Sequence, residues 1–70
     1  MIPLTYADPG QENIVKKIGG SPDVKRHLSD LGFTPGGSVT LISILNGNII
    51  VKVKESRIAL SEDLAIKVFV

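Results

Sequence analysis

The stretch Leu28-Ser29-Asp30-Leu31-Gly32-Phe33-Thr34-Pro35-Gly36-Gly37 constrains this chain more than any other, because it runs a helix end through a glycine stop directly into a proline-glycine turn. Upstream, Val24, Leu28 and Leu31 recur at helical spacing and make one apolar stripe. Ser21 is placed to cap the orphan amides and Pro22 suits the first helical position, so the spacing predicts a helix of about three turns over Pro22 to Leu31. Gly32 stands where helices close on a left-handed residue, and Phe33 after it can fold back onto Leu28 or Leu31. Pro35-Gly36 favours a turn with positive φ at its second central residue, so the chain should leave as a strand from Ser38.

The remaining elements are short. Leu4 to Asp8 reads as a helical turn or irregular segment, and Pro9-Gly10 as a turn. Gln11 to Ile18 reads as a first strand whose apolar residues Ile14, Val15 and Ile18 fail to alternate across Lys16-Lys17, which predicts a bulge or bend. Ser38 to Leu45 is a second strand, with Val39, Leu41 and Leu45 on one parity and Ile42 and Ile44 on the other. Asn46-Gly47 is a strong hairpin signal, since both residues tolerate the positive φ of a type I′ turn. Ile49, Val51 and Val53 then alternate with Ile50, Lys52 and Lys54 and form the inward set. Arg57 to Leu60 makes a short strand, Ser61 caps a helical turn through Ala65, and a final strand turns Ile66, Val68 and Val70 inward. About five short strands, one inserted helix and a last strand able to pair near the first predict a mainly β fold, a small SH3-like barrel. Closure would also hide most of its strand edges.

Seventy residues make one domain, residues 1–70, with room for one core. There is no cysteine, so no disulfide or thiolate metal site supports that core, and the apolar 43% of residues must do so by packing. Met1-Ile2-Pro3-Leu4-Thr5-Tyr6 lacks the basic start and apolar run of a secretory signal, and no stretch approaches the roughly 20 apolar residues of a membrane span. The expectation is a cytoplasmic protein without direct membrane insertion, with a monomer favoured. Its formal charge of +1 is far from the positive field that non-specific nucleic-acid binding draws on.

These words resemble a known family. The small FeoA-type accessory proteins of ferrous iron transport carry a helix ending in Leu-x-x-Leu-Gly-apolar-x-Pro-Gly, met here from Leu28 to Gly36. Gly47 to Leu60 is similar to the family's glycine hairpin, alternating strand and Arg-apolar-Ala-Leu signature, carried by Arg57 to Leu60. Leu64 to Val70 is similar to its closing strand, and Pro9-Gly10-Gln11 with Ile14 and Ile18 to its opening. Two positions depart from the pattern: His27 stands where many relatives have arginine, and Ser61 where many have a charge. The resemblance implies an SH3-like barrel and a non-enzymatic cytoplasmic accessory without cofactor. It also implies a partner, the membrane iron transporter with its cytosolic GTP-binding domain, which could hold the chain at the inner face of the membrane. A barrel of this type also closes metal-dependent transcriptional repressors, so the alternative is a module that binds such a soluble regulator, or nucleic acid.

Reactive groups are sparse. His27 and Asp30 sit at i, i+3 and could offer two ligands to a divalent metal, but a structural zinc site takes four and a catalytic one three, so a solvent-facing pair is the default and no metal site is expected. The seven glycines form neither a P-loop nor a dinucleotide fingerprint. Glu62-Asp63 point in different directions and suit a helix's first turn. Tyr6, Phe33 and Phe69 are not interleaved with basic residues, so base stacking has little to work with. Surface recognition remains, with Arg57, Phe33, Arg26 and Lys25 as candidate partner-binding residues. The planar fork of Arg57 suits either turn carbonyls near Glu55 or a partner's carboxylate. Phe33 is either a core plug, as its size favours, or part of a shallow apolar groove, while Lys25 and Arg26 lie on the exposed side of the helix.

Overall fold

A computed structural model describes residues 1–70. A 3₁₀ turn at Leu4–Tyr6 precedes β1 (Glu12–Ile14) and β2 (Lys17–Ile18), followed by helix α1 (Pro22–Asp30). Strands β3 (Ser38–Leu45), β4 (Asn48–Val53) and β5 (Ser56–Ser61) come next, then the one-turn helix α2 (Glu62–Ala65) and β6 (Val68–Phe69). All pairings are antiparallel, in a four-stranded sheet of order β1-β3-β4-β5 and a two-stranded sheet β2-β6. The expected mainly β SH3-like barrel with an inserted helix is what forms, with six strands in place of about five.

Helix α1 is bounded by the devices its sequence advertises. The Ser21 hydroxyl accepts from the Val24 amide at 3.3 Å, Pro22 opens the helix, and Asp23 sits in the first turn where the dipole favours an anion. At the other end Gly32 has φ +108° and its amide donates to the Ser29 carbonyl at 2.9 Å, while Phe33 donates to Leu28 at 3.0 Å. This is a Schellman closure, which normally brings the residue after the glycine against the helix's last inward side chain. Leu28 and Phe33 are both fully buried in the core, and Val24 and Leu31 pack against it half-buried.

The proline-glycine turn holds the two sheets together. Gly37 donates to the Thr34 carbonyl at 2.9 Å across Pro35-Gly36, with Gly36 at φ +89°, as a type II turn requires. The Gly36 amide donates to the Val15 carbonyl at 2.7 Å, and the Val15 amide to the Gly37 carbonyl at 2.8 Å. Val15 therefore bonds the turn with both its backbone groups. Gln11 to Ile18, expected as one bent strand, is thereby two: β1 pairs with β3, whereas the next residue, Lys16, donates to Phe69 at 2.8 Å and β2 pairs with β6. The missing alternation marks a change of sheet, a corner where a strand passes from one layer to the other.

Two further expectations are corrected by local geometry. In β3 the register shifts between Leu41 and Ser43, so a bulge at Ile42 breaks the shared parity of Val39, Leu41 and Leu45: the first two are buried and Leu45 is 62% exposed, while Ile44, opposite Ile49 at the hairpin end, is 57% exposed. Ile66, expected to face inward, is the C-cap of α2 and 40% exposed, because it precedes the strand and owes nothing to its alternation. Val68 and Val70 are buried as expected, as is the inward set Ile49, Val51 and Val53. Asn46 (φ +52°) and Gly47 (φ +79°) form the two-residue hairpin between Leu45 and Asn48. Ile2 and Val70 exchange backbone bonds at 2.9 and 2.8 Å, which fastens the amino terminus beside β6.

Candidate docking site

Because Val15 is bonded to the turn after α1, the residues that follow it run beside that helix. A groove of about 400 Å³ lies between them. Lys16, Lys17 and Ile18 line it from one side, and Lys25 and Ser29, one helical turn apart, from the other; Phe33 and Pro35 complete it from the turn. Phe33 has no exposed surface, so it supports the floor of the groove and belongs to the core. Its size falls within the range in which surface clefts hold ligands or peptide side chains.

A second hollow, of about 340 Å³, lies on the outer face of the four-stranded sheet and is lined by Glu12, Ser38, Thr40, Lys52 and Lys54, all polar. The register places Glu12, Thr40, Lys52 and Arg57 in one cross-strand row, and directly paired residues share a face. Arg57 thus ends the row beside this hollow, on edge strand β5, and takes no part in the groove at α1. The structure brings Lys25 and Phe33 together and leaves Arg26 exposed on α1 outside the groove lining and Arg57 on the sheet.

The side-chain hydrogen bonds run from Asn13 to the Gln11 carbonyl and from the Val24 and Leu64 amides to the capping serines. Arg57 makes none, so the internal contact with turn carbonyls near Glu55 is not formed and its guanidinium is open to solvent. Arg57→Ala is accordingly expected to change the unfolding free energy by less than about 0.5 kcal/mol in denaturant titration. His27 and Asp30 are exposed on α1, with no cluster of three or more His, Cys, Asp or Glu side chains around them.

Of the groove lining, Lys16, Lys17, Ile18, Ser29 and Pro35 were not among the candidate residues read from the sequence. The lysine pair that interrupts the apolar pattern of Gln11 to Ile18 was the signal, since two adjacent charges within a strand must be accommodated by an edge or a corner.

Topology, inserted helix and hollows define a small SH3-like barrel module. A sequence model of the FeoA domain matches residues 2–70. The chain is 37% identical over 70 residues to "Putative Fe(2+) transport protein A" of Methanocaldococcus jannaschii, covering all of this chain and 85% of that protein. This chain belongs to the FeoA family. Among solved structures it is similar to a crystal structure of an iron uptake regulatory protein (FeoA), with 33% identity, a TM-score of 0.87 and coverage of 96% of this chain and 89% of that one. The zinc complex of Stenotrophomonas maltophilia FeoA, described as an SH3 domain protein, shares the fold at 22% identity and a TM-score of 0.80, covering 94% and 85% of the two chains.

Proposed function

We propose that this chain is a non-enzymatic accessory of ferrous iron uptake that acts by docking onto the cytosolic GTP-binding region of the membrane iron transporter. Membership of the FeoA family across residues 2–70 carries the reading, together with the iron-transport name of its archaeal relative. No helix of the chain is long and apolar enough to cross a membrane. In this reading the chain works from the cytoplasm, as the family resemblance implies, and reaches the membrane through its partner. The barrel presents two hollows to such a partner. Docking changes transport only if the two conformations of the transporter bind the barrel with different affinity, and a tenfold difference, about 1.4 kcal/mol, shifts their ratio tenfold at saturation.

Calorimetric titration of the chain into the transporter's cytosolic GTP-binding domain, with and without guanine nucleotide, tests this. Binding is expected, with an affinity that depends on the nucleotide. Absence of heat and of any NMR shift under both conditions, or co-purification from cells with a soluble regulator in place of the transporter, would overturn it.

A further inference from the structure

The two hollows differ in the signs of their charges. On the sheet, Glu12 stands with Lys52 and Lys54, so both signs are present. In the groove beside α1, Lys16, Lys17 and Lys25 are the only charged side chains of the lining. The whole molecule carries a formal charge of only +1, so these three lysines are a local concentration of one sign. All three are exposed and none spends its ammonium donors on a hydrogen bond within the protein. Like charges gathered at one groove repel, and a bound anion relieves that repulsion while gaining from all three.

The rest of the lining narrows the class of anion. Ile18 is half-buried and Pro35 exposed, and with the buried ring of Phe33 they give the groove an apolar strip beside its charges. A bare phosphate would leave that strip uncovered. A peptide with an apolar side chain set among carboxylates would cover it and meet the lysines on either side, Lys16 and Lys17 on one and Lys25 on the other.

We infer that the groove beside α1 binds an acidic peptide segment of the partner, with an apolar residue between its carboxylates. This rests on the docking reading above and names the chemistry of the segment that docks.

The probe is a labelled nine-residue peptide with four glutamates flanking a central leucine, followed by fluorescence anisotropy and by amide shifts of the chain. Shifts are expected at Lys16–Ile18, Lys25, Ser29 and Gly36. Lys25→Glu, at an exposed helix position, is expected to leave thermal unfolding unchanged and to weaken binding about tenfold or more, whereas Lys52→Glu in the sheet hollow leaves binding within about twofold. Raising salt from roughly 50 to 200 mM should weaken it several-fold, since exposed charges are screened over that range. The glutamine version of the peptide should bind at least about tenfold more weakly.

Equal binding of the glutamine peptide, an unchanged affinity in Lys25→Glu, shifts confined to the sheet hollow, or capture by phosphatidylserine vesicles without binding of the peptide would each overturn the inference. If the transporter domain binds wild-type and Lys25→Glu chains alike, docking stands and this assignment fails. If the peptide binds as described and the domain does not bind at all, the groove chemistry stands and the docking reading fails.

Discussion

Phe33→Ala is expected to destabilise the domain by about 3–5 kcal/mol, read as a drop in the denaturant midpoint with little change in slope. The ring is fully buried at the point where α1, the following turn and the core meet. Truncation removes its transfer free energy and leaves a cavity that the fastened backbone on either side cannot readily collapse, because the Phe33 amide is bonded to Leu28 and the turn beyond to Val15. A domain of seventy residues has roughly 4–10 kcal/mol in total, so this one change consumes much of it. An unaltered midpoint would show that the aromatic is a groove residue and not part of the core.

Leu28→Ala follows, with an expected loss of about 2–5 kcal/mol by the same measurement. Leu28 is the one fully buried side chain of α1, and Val24 and Leu31 on either side are only half-buried, so the helix is held to the barrel chiefly at this point. Its carbonyl also accepts the Phe33 amide. The two residues share one site at the helix end, so the double variant is expected to lose less than the sum of the single ones. Strict additivity would separate them.

Much of this was legible because certain positions permit only one local geometry. Gly32 before Phe33 announced the end of the helix, Asn46-Gly47 the hairpin, and the alternation of Ile49, Val51 and Val53 the inward face of β4; the structure agrees at each. What could not be read depends on partners distant along the chain. Nothing within Gln11 to Ile18 says that its first half will pair with β3 and its second with β6, because the change is dictated by the turn at Gly36. Leu45 has the parity of Val39 and Leu41 without their burial since a bulge is a property of two strands together, and Ile66 was misplaced since a one-turn helix claims it first. The groove itself was not visible in the sequence. Lys25 and Phe33 were singled out, but neighbours on a helix point about 100° apart, so only the fold decides that Lys25 reaches the groove while Arg26 does not.

The bonds between Val15 and the proline-glycine turn also tell where this small domain can be altered by protein engineering. An insertion at the Asn46-Gly47 tip would lengthen a loop whose one backbone bond outside the β3–β4 hairpin is that of the Glu62 amide to the Gly47 carbonyl at 3.3 Å, and its cost would grow slowly with length. A single residue added near Pro35 would slide the joint to which both layers are riveted, shifting their alignment together. A fluorescent label or an affinity tag therefore belongs at the former, and the latter should be left at its native length.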